Sequence, residues 1–175
     1  IRLAEAAIRR DVRIRQMLKV STLTLTGQST PLPSDFMEMN RVALDSTTDP
    51  GISFMPAEAL YSHDSYHDSG TPCLYTIEGT NIITAPDGTG EDLLLNYYRA
   101  FDALADAADT NWLLTNAYDV YLYGSLAHAS PYIKEDERVG LWVQGYNSAV
   151  SALNKADRRS TFAGAPLAVR NGTGP

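Results

Sequence analysis

Apolar residues recur with the period of an α-helix over two segments in the C-terminal half of the chain. Within residues 111–130 and 135–160 they are spaced alternately three and four residues apart, which places each set along one stripe of a helix. The pattern predicts two long helices that pack through these stripes. The first stripe contains Leu113, Ala117, Val120, Gly124 and Ala127, and the second contains Val139, Trp142, Tyr146, Ala149 and Leu153.

An antiparallel arrangement of these helices about a turn at residues 130–134 opposes small residues to large ones. Gly124 then faces Trp142, and Val120 faces Tyr146. An indole over a glycine allows two helices to approach closely without overpacking. We therefore expect the structural core of the pair to contain Gly124, Trp142, Tyr146, Leu113 and Leu153.

Shorter elements are predicted for the first hundred residues. A helical pattern through Leu3, Ile8 and Ile14 predicts a helix over residues 1–19, and because it is already running at Ile1 we expect the native N-terminus to lie upstream. Pro56 favours a short helix over residues 57–61. Strands are expected at residues 21–26 and 41–44, and a three-stranded meander at residues 74–78, 81–85 and 92–101, with Gly79 in its first turn.

These elements together predict an α+β fold. Its helical bundle consists of the antiparallel pair of long helices and the N-terminal helix, and a small antiparallel β-sheet accompanies it. Residues 1–160 are expected to form a single domain, with the helix at 1–19, a β-rich middle at 21–101 and the helical pair at 110–160. Residues 161–175 are rich in glycine, proline and small residues, which predicts an extended C-terminal tail.

The composition is that of a globular protein. The chain has 175 residues, of which 44% are hydrophobic, and no apolar run approaches the roughly 18–20 residues of a membrane span. We expect neither a membrane segment nor a signal peptide. Cys73 has no cysteine partner, and we expect it to be a small buried hydrophobic residue in a reducing compartment.

The net charge of −7 is distributed unevenly. Residues 1–20 contain six basic and two acidic residues, a charge of +4, so the remainder carries −11. An acidic body opposes tight binding of phosphates over the whole surface. The basic N-terminal helix has two interpretations, namely salt bridges to an acidic neighbouring subunit or contact with nucleic acid.

Motifs for chemistry are missing from the sequence. It contains no nucleophile elbow, Walker loop, zinc-finger spacing or His-Glu-x-x-His motif, and we assign no catalytic, cofactor-binding or metal-binding residue. His63 and His67 are four residues apart in a polar segment rich in turn-forming residues and lack a third ligand of clear spacing. A metal-dependent enzyme that uses residues 62–69 is kept as the third functional hypothesis.

Several segments carry a resemblance to a known family. They are Leu32-Pro33-Ser34-Asp35-Phe36-Met37-Glu38-Met39 with Arg41-Val42, Tyr75-Thr76-Ile77-Glu78-Gly79, Asn111-Trp112-Leu113-Leu114, Tyr121-Leu122-Tyr123-Gly124, and Asp136-Glu137-Arg138 followed by Trp142 and Tyr146. Over about residues 1–160 the chain resembles the head-to-tail adaptor proteins of tailed bacteriophages.

The resemblance implies a structural virion protein that is assembled in the host cytoplasm. Such adaptors form a ring, usually of twelve copies, that joins the portal protein to the tail or nozzle and extends the channel through which genomic DNA passes without specific binding. Their C-terminal segments commonly reach the portal, so we expect portal contacts from Phe162, Leu167, Val169 and Arg170.

The subunit interface of such a ring is expected to use the basic helix. Arg9, Arg10 and Arg13 would meet an acidic neighbour and fix the register between subunits. The competing hypothesis is a DNA-binding accessory protein that applies the same helix to phosphates.

Overall fold

A computed structural model describes residues 1–45, 51–106, 109–129 and 138–162. These residues form five α-helices and seven β-strands, with short 3-10 turns at Arg15–Met17 and Asp64–His67. The helices are α1 Arg2–Asp11, α2 Ala57–Tyr61, α3 Trp112–Asn116, α4 Tyr118–Ala129 and α5 Val139–Phe162. The strands are β1 Leu18–Thr24, β2 Ser29–Pro31, β3 Phe36–Leu44, β4 Ser53–Phe54, β5 Leu74–Glu78, β6 Asn81–Ala85 and β7 Asp92–Arg99.

The chain divides into two compact units. Residues 16–100 form a unit that contains every described strand, here called the β unit, and residues 1–15 with those from 101 onward form the helical unit. The β unit has a three-stranded antiparallel sheet in the order β1-β7-β3. It also has a four-stranded sheet in the order β2-β6-β5-β4, in which β4 is parallel to β5.

The core of the β unit follows from the alternation of side chains along its strands. In β7, Leu93, Leu95 and Tyr97 are fully buried, whereas Asp92 and Leu94 project from the opposite face and are exposed. Buried residues from both sheets form a shared cluster, which stabilises the unit through removal of apolar surface from water. Its members are Leu25, Val42, Leu44, Ile52, Tyr75, Ile82, Leu93, Leu95 and Tyr97.

The β5–β6 hairpin and helix α2 confirm the local predictions. Strands Leu74–Glu78 and Asn81–Ala85 pair in antiparallel fashion around Gly79, whose φ of +57° suits a residue without a Cβ. Helix α2 spans Ala57–Tyr61 directly after Pro56. Both elements depend on signals within a few residues of themselves.

The predicted meander is wrong beyond its first hairpin. Strand β7 pairs with β1 and β3, and the other edge of β6 is paired with β2. The strand predicted at residues 41–44 is also longer than expected, because β3 runs continuously from Phe36 to Leu44 with two register shifts. Non-local pairing decides both cases, since the central strand β7 needs a partner on each edge and pairs with residues that lie 49 to 80 positions earlier in the chain.

Helices α1, α4 and α5 of the helical unit meet at Gly124. A Cβ atom on this residue would lie 3.4 Å from the Tyr146 ring on α5 and 3.5 Å from the Cβ of Ala4 on α1. Tyr146, Ala4 and Val120 are buried at this junction. A small residue at the point of closest approach therefore lets three helices share one core.

The predicted helical bundle with an antiparallel long-helix pair and a small sheet is wrong. The first helix of the pair is two short helices, α3 and α4, separated at Ala117, whose backbone angles are φ −145° and ψ 55°. Among the described helices only α5, with 24 residues, is long. The seven strands in two sheets also exceed the small sheet that was predicted.

Side chains form hydrogen bonds in the first turn of each of these two helices. Asn111 caps α3, since its side chain accepts a hydrogen bond from the Leu114 N–H at 2.9 Å. In the first turn of α4, the Asp119 carboxylate accepts a hydrogen bond from the adjacent Val120 N–H at 3.0 Å. The turn predicted at residues 130–134 lies outside the described residues.

The predicted facing pairs are shifted by about one turn of α5. Gly124 faces Tyr146 instead of Trp142. Trp142 is half-buried, with the Arg138 guanidinium 5.5 Å from its ring centre, and Leu153 is also half-buried. Leu113, by contrast, is fully buried.

The predicted helix over residues 1–19 ends at Asp11, where Val12 turns to extended geometry. The Asn154 side chain on α5 forms hydrogen bonds with the backbone at this end of α1. Its Nδ2 donates to the Asp11 carbonyl at 3.1 Å, and its Oδ1 accepts from the Arg13 N–H at 3.3 Å. One amide group thus satisfies a donor and an acceptor that the end of the helix leaves open. The Asp157 carboxylate accepts from the Arg15 backbone N–H and Nε one turn further along α5.

We predict that Gly124→Leu overpacks the junction of α1, α4 and α5. The added side chain must displace the Tyr146 ring or helix α1, at a cost of about 1–3 kcal/mol. Urea unfolding followed by circular dichroism measures this loss. The matched control is Gly140→Leu, because a Cβ there meets nothing within 4 Å. Equal losses of stability in the two variants would contradict the close packing of the three helices at Gly124.

Asn154→Ala should lower the free energy of unfolding by about 1 kcal/mol, since it leaves the Asp11 carbonyl and the Arg13 N–H without their partner. Asn147→Ala is the control, because Asn147 is exposed on the same helix. Amide hydrogen exchange at residue 13 gives a second measurement. If the Arg13 N–H is protected equally in the wild type and in Asn154→Ala, the proposed stabilisation by Asn154 is refuted.

Candidate assembly surfaces

Helix α1 separates an apolar side from a basic side. Ala4, Ala7 and Ile8 are buried in the helical unit, while Arg9 and Arg10 are exposed. This amphipathic pattern fixes the rotation of the helix about its own axis. The arginines consequently face outward and are available to a partner.

Arg13 differs from the other two arginines predicted at the subunit interface. One guanidinium nitrogen donates to the Arg9 and Val12 carbonyls, each at 2.7 Å, and the side chain is partly buried. Cationic donors at a helix C-terminus stabilise the carbonyls left open there. Arg13 therefore closes the end of α1, and the exposed cationic surface is formed by Arg9, Arg10 and Arg2.

A pocket of about 410 Å³ lies beside this basic surface. Its lining includes Arg2, Arg9 and Glu5 from α1 and residues 103–105. Glu5 is only 8% exposed, and its carboxylate accepts a hydrogen bond from the Leu104 N–H at 2.8 Å. The buried carboxylate thus attaches the 103–105 segment to α1 and leaves two arginines at the rim. We call this feature the Arg2/Arg9 pocket.

An apolar groove of about 670 Å³ runs along α4. Tyr118 is 68% and Leu122 51% exposed, four residues apart on one side of the helix, and Leu104 and Leu114 also line the groove. Exposed apolar residues that are contiguous commonly mark an interaction site. We call this feature the α4 groove.

Hydrogen bonds hold the polar edge of the α4 groove. The Asp109 carboxylate accepts from the Ala105 and Asp106 N–H groups, each at 2.8 Å, and these bonds lower the pKa of Asp109. Behind the groove, the Asn111 Nδ2 donates to the Tyr121 hydroxyl and to the Asp102 carbonyl, each at 2.8 Å. Burial raises the pKa of Tyr121, which keeps the phenol neutral.

Sequence reasoning missed the α4 groove. Tyr118 and Leu122 lie on a different stripe of the helix from the predicted core stripe, which contains Ala117, Val120 and Gly124. Both stripes are apolar, so the periodicity alone does not distinguish the buried stripe from the exposed one. The shared four-residue spacing was the available signal.

The polar segment that includes His63 and His67 is used for local structure. His63 Nδ1 accepts a hydrogen bond from the Ser65 N–H at 3.2 Å, and the His67 ring lies 5.2 Å from that of Tyr66. In the part of the chain that the structure describes, no group of three or more His, Cys, Asp or Glu residues is placed to hold a metal ion. No helix among the described residues is long and apolar enough to cross a membrane.

Two further predictions concern Cys73 and the portal-binding residues. Cys73 is exposed rather than buried, so its expected role as a core residue is wrong. Phe162 is the last residue of α5, and Leu167, Val169 and Arg170 lie outside the described residues.

The two units differ strongly in charge. Residues 16–100 contain three basic and eleven acidic residues, a charge of −8, so the remainder of the chain carries +1. The acidity detected outside the N-terminal helix is therefore concentrated in the β unit. The helical unit carries the exposed arginines of α1.

A comparison with protein families gives one match, to the model described as SU10 adaptor protein, over residues 1–170. The chain belongs to the SU10 adaptor protein family. This confirms the resemblance to phage head-to-tail adaptors that the sequence motifs indicated. A comparison with curated proteins finds no match.

Membership of the SU10 adaptor family identifies a general function. The protein is a phage adaptor, a structural component of the virion, and its partners belong to the portal and tail proteins of a phage. In such a protein the exposed surfaces of α1 and α4 matter more than an enclosed pocket, because assembly depends on surface complementarity.

Proposed function

We propose that the protein forms a head-to-tail adaptor ring, of twelve copies, that joins the portal to the tail or nozzle and extends the DNA channel. The observation that carries this proposal is the family match over residues 1–170. A closed ring requires heterologous interfaces, in which one face of a subunit meets a different face of the next. The separation of an acidic β unit from a basic α1 surface supplies two such faces.

The charge of the ring suits a channel for DNA. Twelve copies at −7 each carry about −84. Binding to phosphates is strengthened by Lys and Arg that release counterions, so an acidic lining avoids that adhesion. Genomic DNA therefore passes without specific binding in this proposal.

The C-terminal segment is the proposed portal-binding element. Phe162, Leu167 and Val169 supply apolar anchors and Arg170 a cation in a segment otherwise made of small residues. A partner that covers these apolar side chains removes them from water, which favours binding.

The test of the ring is the mass of the complex, measured by light scattering of the purified protein with and without purified portal protein. We expect the full chain to join the portal as a ring. Leu167→Asp/Val169→Asp should abolish this joining, because charges replace the apolar anchors. Asn171→Asp/Thr173→Asp is the matched control, with the same charge added to polar positions of the same segment. A chain that ignores the portal but binds duplex DNA with a steep salt dependence supports the DNA-binding alternative instead.

The basic surface of α1 provides a second prediction. Arg9→Glu/Arg10→Glu should raise the protein concentration needed for ring formation on the portal by about tenfold, because like charges then oppose the acidic neighbour. Lys155→Glu/Arg158→Glu makes the same change of charge at exposed positions of α5 and should have a smaller effect. Added salt should weaken the wild-type ring and reduce the difference between the variants. A ring that forms equally well with reversed α1 charges would exclude this surface from the interface.

A further inference from the structure

The α4 groove and the Arg2/Arg9 pocket adjoin on the helical unit. Leu104 and Ala105 line both of them, so the two features meet along this short segment. We call the combined surface the helical face. All of its lining residues belong to the helical unit, and its geometry therefore depends on the packing of that unit alone.

Charges of opposite sign occupy different halves of the helical face. Arg2 and Arg9 line the pocket half, and Asp106 and Asp109 line the groove half. All four residues are exposed. Glu5, the remaining carboxylate of the lining, is only 8% exposed and is bonded to the backbone of its own subunit. The helical face thus has a basic half and an acidic half, and a partner surface of a single sign would match only one of them.

We propose that the helical face of one copy binds the helical face of a second copy across a two-fold axis near Leu104 and Ala105. Half a turn about such an axis puts the basic half of each copy over the acidic half of the other. The two contacts between opposite charges are then equivalent by symmetry, which is the arrangement of an isologous dimer. The mixture of signs that a partner of one sign cannot match is complementary to itself.

The groove half also offers apolar surface to the second copy. Tyr118 is 68% and Leu122 51% exposed on α4, and a copy that covers them removes this surface from water. Arginine suits that position, because its methylene stem packs on apolar side chains while its guanidinium stacks on an aromatic ring. In the dimer, the arginines of α1 therefore serve the Tyr118 ring and the carboxylates beside it together.

The dimer goes beyond the proposed ring, because it is a state of the protein without the portal. It uses Arg9, and the proposed ring places the same side chain at its subunit interface. One arginine cannot make both contacts at once, so the dimer has to dissociate before a chain enters the ring. Pairing of free copies thus opposes ring formation away from the portal.

Sedimentation equilibrium of the full chain, without portal protein, measures the dimer. We expect the wild type to have twice the monomer mass and to approach the monomer mass on dilution. Tyr118→Asp should raise the dissociation constant at least about thirtyfold, because it removes an aromatic contact and adds a carboxylate. Leu141→Asp is the control, at a position of α5 that is 65% exposed and outside the helical face. A monomeric wild type, or equal dissociation constants for the two variants, would overturn the proposal.

An exchange of charges tests the two-fold pairing itself. Arg9→Glu and Asp106→Lys should each weaken self-association, because like charges then meet at both symmetry-related contacts. An equimolar mixture of the two variants should form a heterodimer, since one of its contacts keeps the native pair of charges and the other has the pair reversed. Lys155→Glu makes the same change of charge as Arg9→Glu at an exposed position of α5 and should dimerise like the wild type.

Native mass spectrometry with an isotope label on one chain detects the heterodimer, and circular dichroism checks that the variants remain folded. A mixture that stays monomeric, or an Arg9→Glu chain that dimerises as well as the Lys155→Glu chain, would overturn the two-fold pairing. Portal protein is absent from these experiments, so a failure of the dimer is distinguishable from a failure of the ring on the portal.

Discussion

The close packing of α1, α4 and α5 at Gly124 is the constraint on which the helical unit depends. A glycine at this point allows the Tyr146 ring and Ala4 to approach α4 from two sides. The Tyr146 hydroxyl also donates to the Asp11 carboxylate at 2.8 Å, near the end of α1. Burial and this bond to a carboxylate raise the pKa of Tyr146, so the hydroxyl stays protonated and remains a donor. One tyrosine therefore fixes both the spacing and the end of α1.

The surfaces available for assembly follow from that packing. Because Ala4, Ala7 and Ile8 occupy the inner side of α1, Arg2, Arg9 and Arg10 face outward. Asn154 ends the helix at Asp11, and the Arg13 guanidinium turns back onto its last carbonyls. The same interactions that stabilise the unit thus leave Arg2, Arg9 and Arg10 exposed and hold the partly buried Arg13 side chain against the end of α1.

Local signals allowed the sequence to predict part of this fold. Gly79 specified a hairpin and Pro56 a short helix, because each acts on its immediate neighbours. The break at Ala117 had no such signal, since alanine is the residue most favourable to a helix. Local patterns also do not predict the pairing of β7 with β1 and β3, because those strands are distant in the sequence. The positive charge of Arg13 is evident from the sequence. Its hydrogen bonds to the Arg9 and Val12 carbonyls are not, because they depend on α1 ending at Asp11.

The separation of charge between the units gives a physical reason for combining them in one adaptor chain. A subunit that carried its charges evenly would have no electrostatic preference between its two neighbours in the proposed ring. Here one unit carries −8, while the exposed arginines of α1 belong to the other, so in the proposed ring a contact between the two different units of neighbouring copies is favoured over a contact between two acidic units. The same excess of carboxylates opposes adhesion of DNA phosphates. In the proposed ring, selection of the neighbour and passage of DNA therefore both favour a unit that is strongly acidic.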